Sequence, residues 1–194
     1  MTQLILGSKS PRRKEILSHY SYPFQQASSN FNEEAVPFTG NPKEYVLTLS
    51  KGKAESLTPQ YPHAAILTAD SVVYFNKKVY NKPVDKDDAV RILSELAGNW
   101  HSVYTGVSLR YGKELYQQVE ETQVEFNPLS VAQIQAYANT QHWTDKAGGY
   151  GVQTCGGLII KQLKGCFYNA MGLPINTVHE LLLKINIDLW NYLK

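Results

Sequence analysis

A short apolar segment that leads directly into a basic helix start sets the strongest limit on how this chain can fold. Residues 4–6 (Leu-Ile-Leu) predict a strand, and Ser10 with the proline after it predicts the cap and first turn of a helix. Arg12 and Arg13 then occupy that turn, where each cation opposes the helix dipole at a cost of about 0.3–1 kcal/mol. One interpretation is a surface helix with a basic start. The other is a phosphate site formed by these arginines with Ser8, Ser10 and free backbone N–H groups.

The overall composition narrows the class of protein. The 194 residues are 43% hydrophobic and 19% charged, which is ordinary for a globular protein of one domain or two joined lobes. The net charge of +2 and the lack of a dense Lys/Arg stripe argue against nucleic-acid binding. No stretch approaches the roughly 18 apolar residues of a membrane span. Since no signal peptide is recognised at the N-terminus, we expect a cytoplasmic protein. Cys155 and Cys166 are expected to be reduced, and His101 to be a packed structural residue.

Strands and helices alternate along the whole chain. Strands are predicted over residues 4–6, 63–75, 79–80, 103–111 and 115–126, and in a hairpin that turns near Gly165. Helices are predicted over residues 11–20, 45–57, 86–97, 131–137 and 175–183. The segment 145–153 is glycine-rich and predicts a loop. This mixture favours an α/β or α+β fold over a helix bundle or a β-sandwich.

A carboxylate interrupts the most apolar predicted strand. Asp70 lies in the apolar stretch 66–73, and burying a carboxylate is costly unless it is paired, hydrogen-bonded or bound to a metal. It could cap a neighbouring turn, or it could act as a metal ligand or general base on the floor of a cleft. Glu33 and Glu34 could add oxygen ligands for Mg²⁺, although such a pair is also typical of a solvated loop.

Three lysines and a glutamine are weaker candidates for the same site. Lys53 lies in a predicted helix, and the proline after Lys82 holds the backbone of that residue extended. Lys146 opens the glycine-rich loop, where missing side chains let backbone N–H groups approach a ligand. Gln153 ends the loop and could contact a base edge or position a water. Taken singly, each is as typical of an exposed surface or a turn.

These pieces, in this order, resemble the Maf family of nucleoside triphosphate pyrophosphatases over nearly the whole chain. Five motifs carry the resemblance: Ser8-Lys-Ser-Pro-Arg-Arg13, Thr68-Ala-Asp-Ser-Val-Val73, Lys82-Pro83, Lys146-Ala-Gly-Gly-Tyr-Gly-Val-Gln153 and Gly172-Leu-Pro174. The resemblance implies a single Maf-like domain over residues 1–194. It further implies an α/β fold like that of Maf and ITPase proteins, in which helices flank a mixed central sheet and a cleft separates two lobes. A cytoplasmic homodimer is also implied.

The same resemblance implies hydrolysis of a nucleoside triphosphate to the monophosphate and pyrophosphate, with Mg²⁺ or Mn²⁺ as cofactor. Asp70 is then the catalytic carboxylate and a metal ligand, together with an acidic loop residue, Glu33 or Glu34. That choice stays open because Asn32 replaces an aspartate common in the family. The residues implied to bind the triphosphate or assist catalysis are Ser8, Ser10, Arg12, Arg13, Lys53, Lys82, Lys146 and Gln153.

Two sequence features indicate which nucleotide base the protein prefers. The segment 165–174 and the Gln153-Thr154 pair are closer to the family members that prefer dTTP and UTP than to those that prefer 7-methyl-GTP. Pyrophosphatases that clear inosine and xanthosine triphosphates are an alternative class, since they also begin with a strand, a Ser/Asn-Lys loop and a helix. A non-enzymatic nucleotide-binding regulator of cell division is a third possibility, because Maf proteins are associated with septum formation.

Overall fold

A mixed seven-stranded sheet forms the centre of the chain, whose computed structural model describes residues 1–140 and 142–194, with only the backbone at position 154. The strands are β1 (Leu4–Gly7), β2 (Phe24–Ala27), β3 (Ala65–Phe75), β4 (Lys78–Tyr80), β5 (Trp100–Tyr111), β6 (Glu114–Phe126) and β7 (Ile160–Lys164). The helices are α1 (Pro11–Leu17), α2 (Pro42–Leu57), α3 (Lys86–Leu96), α4 (Val131–Asn139), α5 (Phe167–Met171) and α6 (Ile175–Leu183). Short 3₁₀ turns span Glu33–Ala35, Ala147–Gly149, Thr154–Leu158 and Leu189–Tyr192.

The sheet has a gap along one edge of β3. The order is β2-β1-β3-β5-β6-β7, with β1 parallel to β2 and β3 and the remaining pairs antiparallel. One edge of β3 pairs with β5 from Ile66 to Tyr74. The other edge pairs with β1 at residues 65–67 and with β4 at residues 73–75. Among the described residues, therefore, no strand covers residues 68–72 on this second edge, and Asp70 lies within that stretch.

The two faces of β3 are covered by different helices, because successive side chains of a strand point to opposite faces. Ile66 and Val72 pack with residues of α2 in two small clusters. Leu67, Ala69 and Val73 belong to the large cluster, to which α1 and α3 to α6 contribute. Asp70 has the same parity as Val72 and so lies on the α2 face.

A glycine lets α2 lie directly on the sheet at this point. Gly106 of β5 is the register partner of Asp70. A Cβ atom there would come within 2.5 Å of the Val46 carbonyl carbon and oxygen, so any larger residue would push the helix away. The close approach brings the middle of α2 over Asp70.

The predicted mixed sheet with flanking helices is confirmed, as are the helix caps at Ser10, Asp85 and Ser130. The division into two lobes and the single domain over residues 1–194 stay predictions. Within the described residues, no helix combines the length and the apolar character needed to cross a bilayer.

Three local predictions were wrong. The predicted hairpin at Gly165 is absent from the described residues, because β7 pairs with β6 and the chain then enters α5. The first helix ends at Leu17, and Tyr20 instead bridges to Leu193 near the C-terminus. Helix α2 begins three residues before the predicted start, because Asn41 caps it.

His101 on β5 is buried, as predicted for a structural histidine. Its ring packs edge-on against Phe126, and its Nε2 lies 2.7 Å from the hydroxyl of Tyr150. Burial lowers the pKa of His101 to about 4. The imidazole is therefore neutral in the folded protein at pH 5, whereas an unfolded chain protonates histidine near pH 6.5.

This difference makes the stability depend on pH. Because the unfolded chain binds the extra proton between pH 6.5 and 4, the free energy of unfolding falls as the pH decreases through that range. We expect His101 to contribute a loss of about 2 kcal/mol between pH 7 and pH 5. Urea unfolding of wild type and His101→Phe at both pH values measures it, since all other titrating groups are shared. An equal loss in the two proteins would contradict the assignment.

Candidate active site

Lys53 of α2 binds two carboxylates at once. Its Nζ lies 2.5 Å from Oδ1 of Asp70 and 2.8 Å from Oε2 of Glu33. The side chains of Lys53 and Asp70 are each 10% exposed, whereas that of Glu33 is 51% exposed. Lys53 therefore joins a carboxylate buried in the sheet to one on a surface turn. Glu34, in the same turn, forms no ion pair within the described part of the chain.

The two carboxylates differ in their affinity for protons. Burial raises the pKa of Asp70, and the positive charges of Lys53 and Arg13 oppose that shift. Desolvation also acts to raise the pKa of Glu33, but the hydrogen bond and charge of Lys53 outweigh it and lower that pKa overall. The environment thus raises the proton affinity of Asp70 and lowers that of Glu33, the separation of pKa values seen where two carboxylates have different roles.

Arg13 fills the gap in the edge of β3. The residue is partly exposed, but its guanidinium is enclosed, and this burial lowers the pKa of Arg13, which still stays charged. Its Nη1 donates to the carbonyl of Ala69 at 2.8 Å, and its Nη2 donates to Oγ of Ser71 at 3.1 Å. Its Nε donates to the carbonyl of Gly172 at 2.7 Å. Most of its N–H groups are therefore engaged by the protein, and its charge lies beside Asp70.

The two predicted serines organise the loop between β1 and α1. Oγ of Ser8 accepts hydrogen bonds from the backbone N–H of Ser10 at 3.1 Å and from Nη1 of Arg13 at 3.4 Å. Oγ of Ser10 caps α1 by accepting from the backbone N–H of Arg13 at 3.4 Å. Gln26 of β2 donates to the carbonyl of Ser8 at 2.7 Å. These contacts hold the loop next to Asp70.

Arg12 points away from this group and meets a residue that the sequence reasoning missed. Its Nη1 lies 2.6 Å from Oδ2 of Asp145, and its Nη2 donates to the Asp145 carbonyl at 3.2 Å. Nζ of Lys146 lies 2.5 Å from Oδ1 of the same carboxylate. One aspartate thus neutralises two of the predicted phosphate-binding cations. The sequence suggests a role for Asp145 only through its position next to Lys146. Its pairing with Arg12 could not be predicted from the sequence, because the two residues are 133 positions apart.

Gln153 and Lys82 complete the predicted set. A Cβ on Gly151 would lie 2.9 Å from Cε of Lys146 and 3.3 Å from Oε1 of Gln153, so these two side chains flank the same glycine. Oε1 of Gln153 is buried and has no hydrogen-bond partner among the described residues. Lys82 is exposed, and its positive charge contributes to the low pKa of Glu33, which places it near the acidic turn.

Comparison with known proteins identifies the family. The family model described as Maf-like protein matches residues 3–185. The chain belongs to this family. The Maf-like chain is 47% identical over 192 residues to a dTTP/UTP pyrophosphatase of Chlamydia caviae, with 98% of each protein covered. It is 41% identical to a nucleoside triphosphate pyrophosphatase of Chlamydia muridarum, covering 99% of this chain and 98% of the relative. A dTTP/UTP pyrophosphatase of Lacticaseibacillus casei is 42% identical, with 93% of this chain and 97% of that protein covered.

The polar residues of this Maf-like protein form two adjoining groups. Lys53 joins Asp70 and Glu33 in the first, with Arg13, Ser8 and Lys82 around them. Asp145 joins Arg12 and Lys146 in the second, with Gln153 beside them. Helix α1 links the groups, since Arg12 and Arg13 are consecutive and bind the carbonyls of residues 171 and 172.

The carboxylates suit a divalent cation that is held jointly with a ligand. Among the described residues, no group of three or more His, Cys, Asp or Glu side chains could hold a metal ion alone. Asp70 and Glu33, however, both lie against Lys53 and supply hard oxygen donors at one place. Mg²⁺ is commonly bound by one or two carboxylates, with waters and substrate phosphates completing its shell. The donor set therefore fits Mg²⁺ or Mn²⁺ in the presence of a phosphate ligand.

The buried ion pair predicts a specific effect on stability. Lys53→Met removes the nearest positive charge from Asp70 and should lower the free energy of unfolding at pH 7 by about 3 kcal/mol. The loss should be smaller at pH 5, because protonation of Asp70 removes the unpaired charge. Urea unfolding at the two pH values measures both effects.

The double variant Lys53→Met/Asp70→Asn is the control. It has neither charge, so it should recover most of the stability lost at pH 7. If the single and double variants were equally unstable, the effect of Lys53 would lie in packing rather than in its pairing with Asp70.

Proposed function

We propose that this Maf-like protein hydrolyses nucleoside triphosphates to the monophosphate and pyrophosphate, and that dTTP and UTP are its preferred substrates. The observation that carries the proposal is the pair of carboxylates on Lys53, whose pKa values are shifted in opposite directions. Such a pair provides one proton acceptor and one ionised ligand. The choice of base is supported by relatives 40–47% identical that are named dTTP/UTP pyrophosphatases.

The basic side chains of the site carry charge of the sign that binds the substrate. A nucleoside triphosphate has about four negative charges, and its hydrolysis depends mainly on positioning and on neutralising charge. We assign phosphate binding to the basic and hydroxyl side chains of the two groups, the one around Lys53 and the one around Asp145. These residues are Ser8, Ser10, Arg12, Arg13, Lys53, Lys82 and Lys146. Because Arg12 and Lys146 already share Asp145, the triphosphate has to compete with that carboxylate for them.

In the proposed reaction, Asp70 accepts the proton of a water whose oxygen attacks the α-phosphorus. The bond from the α-phosphorus to the α–β bridging oxygen breaks, and pyrophosphate leaves with the electron pair of that bond. The raised pKa of Asp70 suits a base, because it brings proton affinity closer to the working pH. Lys53 and Arg13 hold Asp70 in place and stabilise the negative charge that develops on the leaving group.

Asp70 and Glu33 would together hold Mg²⁺ or Mn²⁺. A divalent ion bound there supplies additional neutralisation of the phosphate oxygens. Glu33 suits this role because its low pKa keeps it ionised. We assign a substrate contact to Gln153, since its buried Oε1 is an acceptor without a protein donor among the described residues.

The test is pyrophosphate release from dTTP, UTP, CTP, GTP, ITP and 7-methyl-GTP with Mg²⁺ or Mn²⁺. We expect dTTP and UTP to be hydrolysed fastest, and Asp70→Asn to lower kcat by at least about 100-fold because the proton acceptor is lost. Asp87→Asn, the same substitution at an exposed position, should leave kcat unchanged.

Each other outcome has a defined meaning. Near-normal turnover by Asp70→Asn would remove Asp70 from the reaction. Fastest hydrolysis of ITP or 7-methyl-GTP would keep the chemistry and overturn the choice of base. Binding of nucleotides without turnover of any of them would support the non-enzymatic alternative.

A further inference from the structure

We propose that Phe31, which packs on Gly52 of α2, positions Glu33 against Lys53 and Asp70. Phe31 is a positioning residue in this proposal, because it acts through Glu33 and does not touch the reacting atoms. The inference rests on the proposed function, since it concerns the carboxylate that is proposed to hold the divalent ion.

The turn that carries Glu33 needs an anchor outside itself. It comprises only residues 33–35, and the preceding residue, Asn32, makes no capping hydrogen bond. Residues 32–35 are exposed. The Glu33 side chain reaches the core through its ion pair with Lys53 and a side-chain contact with Asp70. Such polar contacts of a half-exposed carboxylate are a weak constraint on a surface loop.

Gly52 provides the anchor. A Cβ atom on Gly52 would lie 2.4 Å from Cε2 and Cζ of Phe31 and 2.7 Å from Cε1. The aromatic ring therefore occupies the space that any other side chain at this position would need. A glycine inside a helix is unfavourable relative to alanine, and a close approach by another group is one reason to find it there.

A second contact fixes the same segment to the same helix. Oγ of Ser29 lies 2.9 Å from Oγ of Ser56, and the backbone N–H of Phe31 donates to Oγ of Ser29 at 3.1 Å. Gly52 and Ser56 are four residues apart, so they are neighbours on one face of α2. Lys53 follows Gly52 directly. One helix thus carries both the anchors of the acidic turn and the lysine that binds Glu33 and Asp70.

Gly52→Ala is the decisive variant, because it favours the helix while displacing the ring. Alanine has the higher helix propensity, so lost function would not follow from a weakened α2. The added methyl group forces Phe31 away from α2, and the turn with Glu33 moves with it. We expect the dissociation constant of Mn²⁺ to rise about tenfold, as when a residue that supports a metal ligand is changed.

Mn²⁺ binding is measured by electron paramagnetic resonance, with the protein saturated by a dTTP analogue that has a methylene bridge between its α and β phosphorus atoms. Binding of the analogue in EDTA should stay within about twofold of wild type, because the cations other than Lys53 do not depend on the turn. The matched control is Gly157→Ala, where an added Cβ meets no atom within 4 Å. This control should bind Mn²⁺ like wild type.

A second substitution that restores Mn²⁺ binding distinguishes a positioning role of Phe31 from general damage to the fold. Phe31→Leu in the Gly52→Ala background replaces the ring with a smaller side chain, and we expect it to recover most of the Mn²⁺ affinity. Phe31→Ala alone should weaken Mn²⁺ binding as Gly52→Ala does, and the two effects should not add, since both remove the same contact. Wild-type Mn²⁺ affinity in Gly52→Ala, or additive effects, would overturn the inference.

Measurements on the wild-type protein distinguish a failure of the positioning role of Phe31 from a failure of the proposed function. If wild type neither binds Mn²⁺ with the analogue nor hydrolyses dTTP, the proposed function fails and the positioning role fails with it. If wild type does both and Gly52→Ala matches it in both, only the role of Phe31 is overturned.

Discussion

The arrangement of this protein depends on one charge, the carboxylate of Asp70 in the central strand. A carboxylate removed from water must regain its lost solvation from nearby cations and hydrogen bonds. Lys53 supplies a contact of 2.5 Å from α2, and Arg13 adds positive charge from the α1 side of the sheet. Both depend on backbone geometry, because Gly106 admits α2 to the sheet and the short β1 leaves room for Arg13. The two cations also explain how a charged group lies in a strand of apolar residues.

The gap in the edge of β3 leaves room for side chains of the candidate site beside the strand. A continuous neighbouring strand would saturate the backbone groups of residues 68–72 and cover this edge. Because β1 and β4 pair only with the two ends of β3, Arg13 takes the place of a strand and donates to the carbonyl of Ala69. Most buried backbone groups in proteins are hydrogen-bonded, and this carbonyl finds its partner in a side chain. The interruption also leaves space for the loop with Ser8 beside Asp70.

Local patterns predicted the elements that depend on local interactions. The caps at Ser10, Asp85 and Ser130 follow from short-range hydrogen bonds between a side chain and the next turn, and the structure contains all three. Strand β2 gave no such signal, because it is four residues long and none of them is fully buried. The hairpin predicted at Gly165 was wrong for a related reason. Strand β7, before Gly165, pairs with β6 earlier in the chain and not with a strand after the glycine, where the chain forms α5.

The residue types available for the site can be read from the sequence alone: a carboxylate in an apolar strand, two arginines at a helix start, and separate lysines. How they are used follows from the tertiary structure. It places Glu33 rather than Glu34 on Lys53, encloses the guanidinium of Arg13, and pairs Arg12 with Asp145. The physical reason is that these contacts join residues up to 159 positions apart. Their partners are selected by the packing of α2 on the sheet and by the gap beside β3, which no local pattern encodes.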